Sequence, residues 1–144
     1  MTFHLPDPAT PFGERVAQRL RNESIIWLTT IDTKGLPQPT PVWFLWDETT
    51  STFLIYSLTQ AKRLAYLQHN PQVALNFDGN GKGGDIIVFT GQAQVSHDDP
   101  SADQLPNFVE KYRALLTTLF TTPANFASKY SVALRIHPTA IRGH

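Results

Sequence analysis

The sequence contains no cysteine among its 144 residues. Disulfide bonds, thiolate metal ligands and cysteine nucleophiles are therefore excluded, and the composition fits a reducing compartment. The chain also has no formal net charge, because the charges of twelve basic and twelve acidic side chains cancel. No overall field then attracts a nucleic acid or an anionic membrane. We expect a cytoplasmic protein that binds neither.

Long apolar runs are missing as well. No stretch approaches the roughly 20 apolar residues that span a bilayer, and the start, MTFHLPDPATPF, lacks the basic and apolar segments of a signal peptide. The five histidines show no ligand spacing, so we expect no metal site. The length suits one domain over residues 1–144, with 41% hydrophobic residues to fill one core.

Four segments have the apolar periodicity of amphipathic helices. Thr10 is placed to cap the first of them, and Pro11 suits its first position. A short helix beginning near Ala61 ends before Pro71. The predicted helices cover residues 11–22, 61–70, 106–120 and 123–130.

Six segments rich in β-branched and aromatic residues predict strands, over residues 24–32, 36–47, 52–57, 72–77, 85–96 and 131–143. Pro37, Pro39 and Pro41 alternate in the second segment, which indicates that it begins at a sheet edge. Gly91 in the fifth segment allows a bulge. Hairpin connections and peripheral helices favour a mainly β fold, a six-stranded antiparallel barrel.

A candidate anion site lies where the third predicted strand meets the short helix. Ser57 ends the strand, Thr59 follows, and Lys62 and Arg63 occupy the first helical turn. A helix start offers unpaired amides and a positive dipole end to an anion, and hydroxyls and a lysine add to both. Alternatively, Thr59 caps the helix while Lys62 and Arg63 point into water. The pattern leaves both interpretations open.

Three stretches carry a family resemblance: KGLPQPTPVWFLWD, FLIYSLTQAKRLAYLQHNPQVALNF and IVFTGQAQV. They resemble the FMN-binding split-barrel superfamily of pyridoxamine 5'-phosphate oxidases and their deazaflavin-dependent relatives. The diagnostic order is a strand ending in Ser or Thr, a lysine a few residues on, a leucine-bearing helix, and Asn70-Pro71 before the next strand. The resemblance implies a split β-barrel of the FMN-binding type.

The resemblance also implies where a cofactor binds. Ser57, Thr59 and Lys62, together with Arg63, are expected to hold its phosphate. The strand that carries Thr40, Val42, Trp43 and Phe44 is expected to lie along the ring system. The implied cofactor is FMN, the commoner choice, or a 5-deazaflavin coenzyme, bound between the two subunits of a homodimer.

Two departures from the oxidase argue against oxidation of pyridoxamine phosphate. Thr40 stands where the oxidase has a phosphate-binding arginine, and the oxidase's C-terminal Trp and Arg substrate motif is not seen in SVALRIHPTAIRGH. The segments PTPVWF and AKRLAYLQHNP resemble the deazaflavin reductase branch. The expected activity is hydride transfer between the cofactor and a small molecule, with no catalytic side chain. The alternatives are a non-catalytic flavin or haem carrier, and a dimerisation module with an empty cleft.

Overall fold

The computed structural model describes residues 2–144. It contains four α-helices, α1 (Pro11–Asn22), α2 (Lys62–His69), α3 (Pro106–Phe120) and α4 (Pro123–Lys129), and one short 3-10 helix, Ala102–Gln104. Its strands are β1 (Ile26–Ile31), β2 (Pro37–Val42), β3 (Leu45–Asp47), β4 (Thr52–Ser57), β5 (Gln72–Asn76), β6 (Ile87–Ser96) and β7 (Val132–Gly143). Within residues 2–144, no helix has both the length and the apolar character needed to cross a membrane.

The strands form one antiparallel sheet in the order β2-β1-β5-β6-β7-β4-β3. The mainly β prediction is confirmed, but the count of six strands was wrong, because the segment predicted over residues 36–47 divides into β2 and β3. β2 pairs with β1 and β3 pairs with β4, at opposite edges of the sheet. Only Trp43 and Phe44 join these edge strands, so the sheet must roll up until its two edges approach each other. The result is a split barrel.

Proline and glycine act in this sheet as the sequence predicted. β2 is an edge strand, and a proline edge cannot donate hydrogen bonds to a further strand. In β6, the register against β7 shifts between Thr90 and Gly91, which is the predicted bulge. A Cβ atom on Gly91 would lie 2.4 Å from the carbonyl oxygen of His137, so a larger residue does not fit there.

Two hydrophobic cores lie on the two faces of the rolled sheet. One fills the barrel interior, and the other lies between the outer face and helices α3 and α4. β4 is buried at all six positions because it serves both cores. Phe53 and Ile55 belong to the interior core, whereas Leu54 and Tyr56 belong to the outer one. The outer core brings the aromatic residues of α3 and α4 beside the end of β4.

Tyr112 stabilises the connection between the two sheet edges, Trp43-Phe44, which we refer to below as the crossing. Its hydroxyl accepts a 2.8 Å hydrogen bond from the Phe44 amide and lies 2.8 Å from the Ser24 carbonyl oxygen, to which it donates. The backbone of α3 leaves helical geometry at Tyr112 itself, at φ −107° and ψ 16°. Burial raises the pKa of the Tyr112 hydroxyl well above its usual value, so it stays a donor.

Replacing Tyr112 with phenylalanine is expected to destabilise the protein by about 1–3 kcal/mol, because the buried Phe44 amide and the Ser24 carbonyl each lose a partner. Urea unfolding measures the change. Tyr66→Phe is the matched control, since the Tyr66 hydroxyl makes no hydrogen bond to residues 2–144. Equal stabilities of the two variants would contradict the role given to Tyr112.

Candidate functional site

The corner between β4 and α2 has an uncapped helix start. Ala61 occupies the cap position of α2, no side chain caps the helix, and no acidic residue lies in its first turn. The Thr59 hydroxyl instead donates to the side-chain oxygen of Gln60 at 3.0 Å. The alternative in which Thr59 caps the helix was therefore wrong. The first amides of α2 remain available to an anion.

Arg63 is the charged group that links this corner to the protein interior. Its guanidinium donates to the hydroxyl of Ser57 at 3.2 Å, and Ser57 is only 1% exposed. Burial lowers the pKa of Arg63, although an arginine remains charged at neutral pH. Among residues 2–144, no carboxylate lies within 4.0 Å of this guanidinium. Arg63 is thus a partly buried cation without a counter-charge.

A cavity of about 270 Å³ opens beside Arg63. One wall comes from the crossing between the sheet edges and its neighbours, namely Ile25, Pro41, Val42, Trp43 and Tyr56. The facing wall comes from the end of α3, from α4 and from the residue directly after α4, namely Leu119, Phe120, Phe126 and Tyr130. Arg63 is the one charged residue among the ten that line the cavity. We refer to this cavity below as the aromatic cavity.

Three of the aromatic rings that line the cavity stack in parallel. Trp43 stacks on Tyr112 at 4.5 Å with an interplanar angle of 4°, and on Phe126 at 5.2 Å and 13°. Phe126 in turn stacks on Tyr130 at 4.7 Å and 8°. Phe120 lies edge-on to all three, at interplanar angles of 83° to 89°. The cavity is therefore bounded by a packed aromatic cluster, whose apolar surface suits a ligand with an aromatic ring.

The structure brings together only some of the residues predicted for the site. Val42, Trp43 and Arg63 line the aromatic cavity, and Ser57 is reached through its hydrogen bond from Arg63. Thr40 is half-buried on β2, next to the cavity residue Pro41 and opposite Leu28 of β1. Phe44 is fully buried in the barrel interior, and Thr59 and Lys62 are exposed at the corner outside the cavity lining.

Sequence reasoning missed the facing wall. This wall consists of residues about 60 or more positions beyond the β4–α2 corner in the chain, among them Phe120, Phe126 and Tyr130. For that part of the chain the sequence predicted two helices and no site. The available signal was the concentration of aromatic residues in and after the two helices. Nothing in that spacing indicated which strand the helices would cover.

A larger cleft of about 770 Å³ lies elsewhere, between the end of α1, the edge strand β3 and the start of α3. Lys111 of α3 lines it together with an ion-paired cluster around Arg135. The sequence did not predict this cleft. We refer to it below as the α1–α3 cleft.

Arg135 of β7 holds the end of β3 and the loop after β6 in place through carboxylates. It donates to both oxygens of Asp99, at 2.5 and 2.9 Å, and to Asp47 at 2.9 Å. The hydrogen bond from Arg135 lowers the pKa of Asp99. Burial pulls the pKa of Asp47 upward, but its hydrogen bonds from Arg135 and Thr50 outweigh burial and leave that pKa lowered too. The cluster therefore stabilises the charged carboxylates of the folded state.

Replacing Arg135 with glutamine is expected to destabilise the protein by about 2–3 kcal/mol at pH 7, since hydrogen bonds to charged groups are lost. A carboxylate with a lowered pKa contributes stability above its unfolded pKa of about 4, and that stability is lost as the pH falls through the folded value. The difference between the two proteins should therefore shrink in urea unfolding below pH 4.

Arg113→Gln is the control, because its pair with Glu110 is exposed and should contribute less than about 1 kcal/mol. A stability difference for Arg135→Gln that stays constant between pH 7 and pH 3 would contradict the electrostatic explanation.

A rolled antiparallel sheet with a cation and an aromatic cavity at its strand-to-helix corner defines a split-barrel protein with a candidate ligand site. The chain belongs to the pyridoxamine 5'-phosphate oxidase family, whose family model, PNPOx_N, matches residues 12–144. The family resemblance read from the sequence is thereby confirmed. No curated protein matches the chain.

Solved structures show the same fold. An F420 reductase superposes with a TM-score of 0.66 at 21% identity, covering 87% of this chain and 94% of that one. The heme storage protein HutZ from Vibrio cholerae gives 0.61 at 14%, covering 90% and 93%. The General Stress Protein 26 from Bacillus anthracis gives 0.64 at 19%, covering 89% of each chain. At these identities the similarity establishes the fold.

Proposed function

We propose that this protein binds FMN, or alternatively a 5-deazaflavin coenzyme, and acts as an oxidoreductase that moves a hydride to or from a small molecule. The observation that carries the proposal is Arg63, which is partly buried without a counter-charge and lines a cavity with aromatic walls. A flavin has the two matching parts, since it joins a planar ring to a phosphate.

The phosphate end of the ligand would lie at the β4–α2 corner. Arg63 supplies a guanidinium suited to two parallel hydrogen bonds with phosphate oxygens. The uncapped amides of α2 and the Lys62 ammonium add positive charge, and Thr59 offers a hydroxyl. Ser57 would hold Arg63 in place through the hydrogen bond that already joins them.

The ring end would lie against β2 and the crossing. Val42 and Trp43 provide apolar contact, and backbone groups near Thr40 are available to the polar edge of a ring. When bound, the cofactor itself supplies the hydride chemistry. No histidine or carboxylate is among the residues that line the aromatic cavity. The chain's part would therefore be to orient the ring and exclude water, without a catalytic acid or base.

A second copy of the chain is proposed to complete the site. Within residues 2–144, the large apolar side chains left exposed are Ile25, Leu36 and Leu119, at 38%, 55% and 62%. Two of these three, Ile25 and Leu119, line the aromatic cavity. Covering them in a homodimer would enclose the cofactor. We propose a cytoplasmic homodimer in which residues 1–144 form one flavin-binding domain, with a small-molecule substrate and no nucleic-acid or membrane partner.

Titration of the purified protein with FMN and with the deazaflavin, followed by absorbance and fluorescence, tests the proposal. We expect one of them to bind with a micromolar or lower dissociation constant, and FMN to bind more tightly than riboflavin, which lacks the phosphate. Mass spectrometry of any copurified ligand identifies the natural cofactor. If neither cofactor binds in this range, the proposal is wrong.

A non-catalytic carrier is the second candidate, and the similarity to the heme storage protein HutZ favours it. Haem is commonly held by a histidine, and none lines the aromatic cavity, although Tyr130 could supply a phenol oxygen there. Steady-state reduction assays distinguish the two candidates, because a carrier binds its ligand without turnover. A Soret band with no flavin binding would establish the carrier and exclude the oxidoreductase.

A further inference from the structure

Lys111 is a lysine in an unusual environment, outside the lining of the aromatic cavity. Its ammonium nitrogen lies 3.6 Å from the centre of the Phe44 ring and donates to the Phe44 carbonyl oxygen at 2.8 Å. Lys111 is partly buried, whereas the other four lysines, Lys34, Lys62, Lys82 and Lys129, are exposed. Among residues 2–144, no carboxylate lies within 4.0 Å of its nitrogen.

The α1–α3 cleft gives a ligand access to this amine. The cleft is about 770 Å³, which is within the range of small-molecule sites, and it has an apolar part formed by Leu20, Leu45, Leu54 and Leu105. Leu20 and Leu54 are at most 2% exposed, so the apolar surface that a ligand could contact comes mainly from the partly buried Leu45 and Leu105. A ligand with an apolar or aromatic body fits such a surface.

The charges around the cleft argue against recognition of an ion. Three cations and three carboxylates line it: Arg21, Lys111, Arg135, Asp47, Glu48 and Glu110. Because they balance, the cleft has no net attraction for an anion. Arg135 is already paired with Asp47, and Glu110 is paired with Arg113. What distinguishes Lys111 is its partial burial without a counter-charge, which favours a neutral, nucleophilic amine.

The acidity of Lys111 agrees with this geometry. Burial lowers its pKa to about 8, and the charge of Glu23, on the connection after α1, opposes the shift. An amine with a pKa near 8 is neutral in a roughly hundredfold larger fraction at pH 7.5 than one with the ordinary lysine value of about 10.4. The neutral form carries the lone pair that attacks a carbonyl carbon.

We propose that Lys111 is a nucleophilic amine that captures aldehydes with an apolar or aromatic body in the α1–α3 cleft. The Lys111 nitrogen forms a bond to the aldehyde carbon, and one proton passes from the nitrogen to the carbonyl oxygen, which gives a carbinolamine. The hydroxyl then takes up a second proton and leaves as water, while the nitrogen gives up its other proton and the carbon–nitrogen bond becomes double. The product is an imine, and the reaction is reversible and needs no oxidant or reductant. Lys111 is absent from the lining of the aromatic cavity, so the proposal is independent of flavin binding.

Reductive trapping tests the proposal on the full-length protein without added cofactor. Benzaldehyde is added at pH 7.5 with cyanoborohydride, which delivers hydride to the imine carbon and makes the bond permanent. Peptide mass spectrometry then gives the labelling rate at each lysine. We expect Lys111 to be labelled at least about tenfold faster than the other four, since its lower basicity offsets part of its larger neutral fraction.

Three comparisons make the result decisive. Formaldehyde needs no cleft, so the preference for Lys111 should be larger with benzaldehyde. Lys111→Arg, which keeps the charge and a donor for the Phe44 carbonyl, should lose the fast labelling. Lys82→Arg, at an exposed hairpin tip, should leave labelling of Lys111 unchanged. Equal rates at all five lysines, or an equal preference with both aldehydes, would overturn the proposal.

Discussion

Replacement of Phe126 with alanine is expected to destabilise the protein by about 3–5 kcal/mol, the usual cost of removing a buried aromatic ring. Phe126 is 3% exposed and contacts Trp43, Tyr130 and Phe120, at ring-centre distances between 4.7 and 5.2 Å. Its loss removes the centre of the outer core and one wall of the aromatic cavity together. Urea unfolding gives the stability, and FMN titration of the folded fraction gives the binding.

Two further variants distinguish the loss of the aromatic ring from the loss of side-chain volume and of exposed apolar surface. Phe126→Leu keeps most of the volume and should cost less than Phe126→Ala, while still weakening FMN binding because an aromatic ring of the cavity lining is gone. Leu36→Ala removes an apolar side chain that is 55% exposed on the β1–β2 turn, and should change stability by less than about 0.5 kcal/mol. A loss below about 1 kcal/mol for Phe126→Ala would contradict the packing of α4 described above.

Replacement of Arg63 with glutamine should weaken FMN binding by about 10- to 100-fold, which corresponds to the roughly 1.5–3 kcal/mol of a charge-assisted hydrogen bond. Riboflavin binding should change much less, because riboflavin has no phosphate for Arg63 to contact. Glutamine retains a donor for the Ser57 hydroxyl, so the β4–α2 corner is preserved. Fluorescence titration with both ligands measures the two changes.

Arg113→Gln again provides the control, since Arg113 is an exposed residue of α3 and does not line the aromatic cavity. It should leave the affinity for FMN unchanged. Equal weakening of FMN and riboflavin by Arg63→Gln would mean that Arg63 shapes the cavity without contacting a phosphate. Such a result would contradict the role proposed for this residue.

Local chemistry explains why much of the barrel could be predicted from the sequence. Thr10 and Pro11 fix the start of α1, where the Thr10 hydroxyl accepts from the Gly13 amide at 3.0 Å. The alternating prolines predicted the edge position of β2, and Gly91 predicted the bulge in β6. Each of these signals depends on backbone properties of one residue, which act the same in any fold.

The break between β2 and β3 could not be predicted in this way. Trp43 and Phe44 have strand-forming side chains, and the segment around them reads as one continuous strand. What ends the pairing is tertiary: β3 pairs with β4 at the edge of the sheet opposite β2, and Tyr112, 68 residues after Phe44, satisfies the Phe44 amide. The facing wall of the cavity escaped prediction for the same reason, because α4 meets Trp43 only through the folded chain.

The candidate site, too, could be predicted only in part from the sequence. Val42, Trp43 and Arg63 were placed through family resemblance, and they line one cavity in the structure. Nothing in the sequence favours Arg63 over Lys62, since both occupy the first turn of α2. Their environments differ, because Arg63 turns toward Ser57 and is partly buried, whereas Lys62 is exposed. That difference makes Arg63 the stronger candidate for the phosphate.

A crystal structure of the protein with FMN tests the central claim most directly. It should show the phosphate within hydrogen-bonding distance of the Arg63 guanidinium, and the ring in the aromatic cavity against Val42 and Trp43. Density for FMN in the α1–α3 cleft, or a phosphate turned away from the β4–α2 corner, would contradict the claim.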